Sequence, residues 1–495
     1  MNRDVFNNLK ALFNPKSLAV IGASASFGKW GQLIFSNILA GGFAGRVYAI
    51  NPAQESVYGV KTSKSVKDIS DPVDLVFIAT PAETVPSLVQ ECADRRVKAI
   101  VLITSGFSET GEKGKELERD VAGICAKSDI ALIGPNTMGI IAPYASLFAT
   151  GTHSRPIKGK VAFVSQSGNL GNQLIHWATK HGIGVSLFVG TGNEALLGCT
   201  DLLEYLEEDI NTEIIILYLE GVDEGRRFLD TAARVNLKKP IIVLKGGRTD
   251  AGRIAAASHT GSMGGRDEIF RAVCRQAGLL NVWVPTELLD LSAGFSCLPM
   301  PRGNRVGIVT LGGGWGVVTS DECNQRGLVI PPLPDEIIEA VGRHLPPFWS
   351  KGNPVDLVGT TDPRAPVAAV EELLKWDGVD AVIGLGIIGR LEVVRLLVDS
   401  TRKADPDIRE EFLDRVIGFA QNYETEYVAS MVELMERYEK PILGVTLAQT
   451  SEGTVRPVEG RRYSGVFYQT PENAVNALAR MVQYQRRVGY LRRSS

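Results

Sequence analysis

One alternation constrains this chain more than any other feature. Short runs of apolar and β-branched residues recur: "SLAVIGA", "RVYAINP", "LVFIATP", "AIVLITSG" and "IALIGPN". Helix-like stretches such as "PAETVPSLVQECADRRV" lie between them. A strand that is apolar throughout is buried on both faces, so the pattern predicts parallel sheets with helices on both sides. The segment "ATGTHSRPIKGK", residues 149–160, lacks apolar periodicity. Beyond it the alternation resumes in "KVAFVSQSG", "GVSLFVGTGN", "EIIILYLEG" and "PIIVLKGG". A second break, "CLPMPRGNR" at residues 297–305, precedes "RVGIVTLGGG", "DAVIGLGIIG" and "PILGVTLA". With roughly 150 residues per domain, the 495 residues are expected to form three α/β domains at 1–150, 155–298 and 302–495.

Composition removes several classes of function. The net charge of −3 gives no electrostatic case for nucleic acid as a partner. Cysteines stand singly at 92, 125, 199, 274, 297 and 323 with no C-x-x-C pair, which argues against zinc and disulfides and suits a reducing cytoplasm. No metal ligands are expected. The N-terminus "MNRDVFNNLKALFNPKS" carries Asp4 and no long apolar run, so it does not read as a signal peptide. No stretch approaches the roughly 20 apolar residues of a membrane span, and no membrane partner is expected.

In open α/β sheets, ligands bind beyond the carboxyl ends of the strands. The first unusual group there is "VIGASASFGKWG". Gly22, Gly28 and Gly31 allow close backbone approach, and a helix opening near residue 30 offers free N–H groups to phosphate beside Lys29. A dinucleotide site usually has an acid at the end of the next strand to hold a ribose. Here "RVYAINP" ends in Asn51 and Pro52, which makes an NAD dehydrogenase a poor reading. The second group is "VSQSGNLG", where Ser165, Gln166, Ser167 and Gly168 turn from strand into helix. It reads as a small anion site or as ordinary N-capping by serine. A G-x-S-x-G nucleophile elbow would need glycine at 165. The third is "LYLEGVDEG", in which Glu220 ends an apolar strand; a carboxylate there can fix an imidazole tautomer, or can simply be a surface charge.

The fourth group is "AAASHTGSMGG", residues 255–265. It sets one of only five histidines, His259, among small residues, in what reads as a loop between "PIIVLKGG" and the helix "RDEIFRAVCRQAG". Such a histidine can accept a phosphoryl group covalently, or serve as a cap or packing residue. The other histidines, 153, 176, 181 and 344, fall in linkers or helices and read as structural.

Taken in order, "GASASFGKWG", "INP", "IATPAE", "ITSGFSETG", "GPNTMGI", "SQSGNLG", "LEG" and "SHTGSMGG" resemble the NDP-forming acyl-CoA synthetases. Within that family the likeness is to the ADP-forming acetyl-CoA synthetase α-subunit and, more distantly, to the succinyl-CoA synthetase α-subunit. "TLGGGWGVVTSDE" and "GNPVDL" extend it into the third domain. The resemblance implies a Rossmann-like CoA-binding domain followed by two flavodoxin-like ligase domains. It also implies a ligase that interconverts acyl-CoA, phosphate and ADP with a carboxylic acid, CoA and ATP, through acyl phosphate and phosphohistidine. By motif match His259 is the phosphorylated residue and Glu220 its orienting carboxylate, while Ser165, Gln166, Ser167 and Gly168 bind the transferring phosphate. Gly22, Ser24, Ser26, Phe27, Gly28 and Lys29 match the CoA phosphate loop. Asn51, Pro52, Thr80, Pro81, Ser105, Gly106 and Phe107 would line CoA, and Asn136 would stand near its thioester. Glycine flanks would let the histidine loop swing between two sites.

Two departures stand out. "GNEALLGCTD" has Ala195, Leu196 and Leu197 where relatives commonly carry an acid after the alanine, and Trp315 is bulky for its glycine loop. No stretch of the chain is long enough for the ATP-grasp nucleotide domain. The resemblance therefore implies a hetero-oligomer, with ADP or ATP and Mg²⁺ held by a separate ATP-grasp β-subunit. A non-catalytic CoA- or acyl-CoA-binding regulator is the competing reading.

Overall fold

The apolar runs become strands in a computed structural model that describes residues 3–260, 266–360, 362–447 and 453–494. The first series gives β1 (Ser17–Ile21), β2 (Arg46–Ile50), β3 (Ser56–Val57), β4 (Val60–Ser63), β5 (Leu75–Ile78), β6 (Ala99–Leu102) and β7 (Ala131–Ile133). They form one sheet in the order β3-β4-β2-β1-β5-β6-β7, and β1 runs parallel to both β2 and β5. Every residue of β1, β5 and β6 is buried, as expected for strands covered on both faces. Alternate side chains enter opposite cores. Leu18, Val20, Phe77 and Val101 face one, while Ala19, Ile21, Ile78 and Ile100 face the other.

The second sheet contains β8 (Gly139–Ala142), β9 (Leu147–Thr150), β10 (Lys158–Ser165), β11 (Val185–Gly190), β12 (Ile214–Leu219), β13 (Ile241–Lys245) and β14 (Leu280–Val282). Its order is β14-β13-β12-β10-β11-β8-β9. Strands β10 to β14 pair in parallel, and β8 and β9 form an antiparallel hairpin that joins through β11. Ala162, Val164, Ile215 and Leu217 of this sheet share a single apolar cluster with Leu18 and Phe77 of the first. Each sheet thus buries one face against material that includes the other, and Met1–Leu288 is one compact unit.

Leu289–Ser495 is the second compact unit. Its strands are β15 (Val306–Thr310), β16 (Val355–Asp356), β17 (Ala381–Leu385), β18 (Ile442–Val445), β19 (Val455–Pro457) and β20 (Ser464–Tyr468), in the order β16-β15-β17-β18-β20-β19. Among the described residues, no helix is long and apolar enough to cross a membrane.

One segment differs from the sequence expectation. Between β13 and the helix Asp267–Ala277, where a loop was expected to carry His259, the chain forms the helix Asp250–Thr260. The small residues there are mostly alanines, the strongest helix formers, and Asp250 in the first turn complements the helix dipole. His259 is therefore the penultimate residue of a helix. Its imidazole, and residues 261–265 of the same motif, lie outside the described residues.

Candidate functional site

The glycine-rich loop follows β1. Gly22 has φ of +89° and its amide donates to the Ile50 carbonyl at 2.9 Å. A Cβ on Gly31 would fall 1.8 Å from the Gly22 carbonyl oxygen, so the helix Trp30–Ala40 can rest on this loop only because residue 31 has no side chain. Lys29 is the N-cap residue of that helix and makes no side-chain cap, which leaves the positive end of the helix open beside an ammonium group. Ser24 is buried and its hydroxyl accepts the Ser26 amide at 3.0 Å, whereas Ser26, Phe27, Gly28 and Lys29 are exposed, the Phe27 side chain prominently so.

Asn51 braces this loop. Its Nδ2 donates to the Ala23 carbonyl at 2.8 Å and its Oδ1 accepts the Ala53 amide at 2.8 Å. An aspartate could not make the first bond, so the residue that weakened the dinucleotide reading has a positive structural reason. Pro52 and Pro81 are exposed, and Thr80 is half-buried at the end of β5. Gly106 has φ of +105° and donates to Glu109 Oε1 at 2.6 Å. Phe107, by contrast, is fully buried in the core behind the sheet, so its ring is a packing element of this loop.

Both sheets of the first unit open onto one cavity of about 560 Å³. The first sheet contributes Trp30, Ser105 and Asn136; the second contributes Gln166, Ser167, Gly168, Glu194 and Glu220. The turn after β10 is built largely by its own side chains. Ser165 is buried and its hydroxyl donates to the Ser167 carbonyl at 2.7 Å. Gln166 Oε1 accepts the amides of Glu220 at 2.5 Å and Gly221 at 3.1 Å, while its Nε2 donates to the Gly221 carbonyl at 3.0 Å. Ser167 caps the helix Gly168–Lys180, accepting from the Leu170 amide at 3.4 Å. Ser165 and Gln166 therefore shape the turn, and Ser167 and the helix N-terminus face the cavity.

Glu220, just beyond β12, is 9% exposed. Its Oε1 accepts the Tyr218 hydroxyl at 3.3 Å, and its Oε2 is sealed from solvent with no hydrogen-bond partner among the described residues. Lys245 Nζ donates to the carbonyls of Glu220 at 3.1 Å and Gly246 at 2.9 Å, and burial lowers the lysine pKa. A Cβ on Gly246 would stand 2.5 Å from the Tyr218 hydroxyl, so glycine keeps this arrangement possible. An orphaned buried carboxylate oxygen costs at least about 1–3 kcal/mol. It is also the acceptor an imidazole N–H requires.

Two cavity residues escaped the sequence reading. Asn193 Nδ2 lies 2.7 Å from Glu109 Oε2 and 2.8 Å from Glu118 Oε2, and its Oδ1 accepts from Asn136 Nδ2 at 3.3 Å. The backbone joins in, because the Asn193 and Ala195 amides donate to the carbonyls of Pro135 and Gly134. Residues 193–195 thus stitch the loop after β11 to the loop that carries Asn136. Between them Glu194, with φ of +58°, lines the cavity. Burial is the main influence that raises its pKa to about 7; Asp223 adds to the rise, and hydrogen bonds from Thr191, Gln166 and Cys199 oppose it. The only signal in the sequence is the position of "VGTGNE" at the end of β11. Leu197 proves to be a core residue at 2% exposure. In the second unit, Trp315 lies in the first turn of the helix Gly313–Gln325 and is 46% exposed. Among the described residues, no group of three His, Cys, Asp or Glu is placed to hold a metal ion.

Comparison with known proteins sets this geometry in a family. Residues 16–143 match the CoA binding domain, 158–295 the succinyl-CoA ligase like flavodoxin domain, and 306–394 the ligase-CoA domain. The chain is 41% identical over 371 residues to the α-subunit of acetate–CoA ligase [ADP-forming] I from Pyrococcus furiosus, covering 74% of this chain and 80% of that one. It is 40% identical over 356 residues to the acetate–CoA ligase [ADP-forming] of Methanocaldococcus jannaschii, covering 72% of this chain but 50% of that longer protein. The fold matches the acetyl-coenzyme A synthetase 1 of Ca. Korarchaeum cryptofilum, solved in complex with phosphate and ADP, with a TM-score of 0.82, 32% identity and 99% of both chains covered. A CoA-binding domain followed by ligase domains, together with relatives named as ADP-forming CoA ligases, makes this chain an acid–thiol ligase. Among them, this chain belongs to the NDP-forming acyl-CoA synthetases, the family of the ADP-forming acetate–CoA ligase α-subunits.

Proposed function

We propose that the chain is the α-type subunit of a cytoplasmic ADP-forming acyl-CoA synthetase. With its partner subunit it interconverts acyl-CoA, phosphate and ADP with a small carboxylic acid, CoA and ATP, and the phosphoryl group passes through His259. The observation that carries this reading is the orphaned oxygen of Glu220, a residue that lines the same cavity as Ser167, Gly168, Ser105 and Asn136. In this reading the anion loop, the imidazole acceptor and the thioester end share that cavity.

In this scheme the loop at Ser24–Lys29 holds the CoA phosphates, with Lys29 as a charged donor and the helix N-terminus as a second one. The CoA chain runs along Asn51, Thr80 and Ser105 toward Asn136. Phosphate binds at Ser167 and Gly168. Acyl phosphate formed there transfers its phosphoryl group to His259, whose second nitrogen donates to Glu220 Oε2. Tyr218 and Lys245 hold that carboxylate and its backbone in place. Nucleotide and Mg²⁺ belong to an ATP-grasp partner subunit. The Methanocaldococcus protein, of which this chain matches only half, supports a further nucleotide-handling portion, and the Pyrococcus relative is itself named a subunit.

Two expected results follow. Lys29→Ala should weaken CoA binding to the whole chain by about 1–2 kcal/mol, the worth of one charge-assisted phosphate contact. Calorimetry is the test, and tighter binding of NAD than of CoA would remove the assignment. Because the first two sheets share one core, the measurement belongs on the intact chain. The purified chain alone, given acyl-CoA, phosphate, ADP and Mg²⁺, should make no ATP above background, and adding an ATP-grasp subunit should start turnover. Sustained ATP synthesis by the chain alone would contradict the subunit reading.

A further inference from the structure

A second carboxylate oxygen is orphaned among the described residues of the first unit; it belongs to Glu194, which lines the cavity and which the scheme above does not use. Glu194 Oε1 is sealed from bulk water and has no hydrogen-bond partner among the described residues. A Cβ on Gly198 would lie 2.5 Å from Oε2, so the glycine opens the space in which the carboxylate sits. The residue stands between the two halves of the cavity. On one side Asn193 bonds to Asn136, and on the other Gln166 belongs to the anion loop. The carboxylate accepts hydrogen bonds from Thr191, Gln166 and Cys199, yet one of its oxygens is left unsatisfied, a cost the fold does not need for packing.

We propose that Glu194 carries the single proton exchanged between phosphate and the CoA sulfur in the thioester half of the reaction. The proposal rests on the functional reading above. Hydrogen phosphate attacks the thioester carbonyl through an oxygen that bears a proton. As the C–O bond forms, the Glu194 carboxylate takes that proton. As the C–S bond breaks, the same carboxyl group returns it to sulfur, so acyl phosphate and a neutral thiol leave. One proton moves from oxygen to sulfur and none is gained or lost overall. In the opposite direction Glu194 takes the thiol proton and gives it to the departing phosphate. No oxidant, reductant or further co-reactant is needed.

A relay of this kind must begin ionised and must release its proton readily near neutral pH. Several groups surround Glu194. Glu220 and Asp223 lie on the turn after β12, and Cys199 and Asp201 on the helix Cys199–Glu208. Lys115, Glu118 and Arg119, on the helix Glu112–Lys127, line the same cavity. Burial and Asp223 raise the Glu194 pKa to about 7. The carboxylate form grows as pH rises through that value, so the thioester half-reaction should speed up across neutral pH and then level off.

The test uses the complete complex with its partner subunit and no nucleotide. Acyl phosphate formed from acyl-CoA and phosphate is trapped as hydroxamate, and phosphorylation of the chain by added acyl phosphate is followed separately. Glu194→Gln should slow acyl-phosphate formation on the order of 10²–10³-fold through kcat. It should also flatten the neutral pH limb and leave phosphorylation by acyl phosphate unchanged, since that step moves no thiol proton. A variant that keeps the wild-type thioester rate and pH profile, or that loses both half-reactions equally, overturns the proposal. A wild-type complex that makes no acyl phosphate and takes up no phosphoryl group overturns the underlying reading and the proposal with it.

Discussion

Replacing His259 with alanine is expected to abolish turnover and all acid-labile, base-stable phosphate on the chain. Five histidines are available in the sequence, and the motif match selects this one. Three of the others belong to local structure: His153 and His176 lie by Ser36 and Ser154 respectively, and His181 is the C-cap of the helix Gly168–Lys180. Because His259 is the penultimate residue of the helix Asp250–Thr260, alanine there conserves or improves helix propensity, and folding should not suffer. Lost activity would therefore report lost chemistry. Rapid-quench assays with the partner subunit, alongside a thermal melt, separate the two.

The second large effect is expected from Glu220→Gln. A neutral imidazole must present one nitrogen to phosphorus and keep its other N–H on an acceptor, and positive charge grows on the ring as the N–P bond forms. Glu220 Oε2 is an acceptor with no competing partner among the described residues, and Oε1 is held by Tyr218. Glutamine retains shape and one acceptor but removes the charge. Phosphorylation should slow on the order of 10²-fold or more, while CoA affinity measured by calorimetry stays put. Equal rates in the two proteins would show that Glu220 does not face the imidazole.

The strands were legible because parallel strands buried on both faces show as unbroken apolar runs, as in "SLAVI" and "IIILYL". The helix holding His259 was not, because alanines and glycines give no large-residue periodicity. The core that joins the first two sheets was also hidden. Leu18 and Ala19 are both buried strand residues, and only the fold decides which faces the second sheet. At the site, the residue types at strand ends were readable: Glu220, the turn at Ser165–Gly168 and the loop at Gly22–Lys29 all lie at the carboxyl edge. What each side chain bonds to was not. Ser165 is committed to a backbone carbonyl, Gln166 to backbone groups and Glu194, Asn51 braces a loop, and Phe107 faces the core, because local hydrogen bonding and burial depend on segments far apart in sequence. Glu194 was missed for the same reason. Its perturbed carboxyl arises from burial against segments that meet only in the folded chain.

The central claim is that a phosphoryl group resides on His259 during turnover. The most direct measurement mixes the chain with an ATP-grasp partner subunit and labelled ATP or acyl phosphate, quenches after milliseconds, and locates the phosphate by mass spectrometry at alkaline pH. The account predicts label on His259 in the wild-type chain, slower labelling in Glu220→Gln, and none in His259→Ala. Label on another residue, or full activity in His259→Ala, would contradict it.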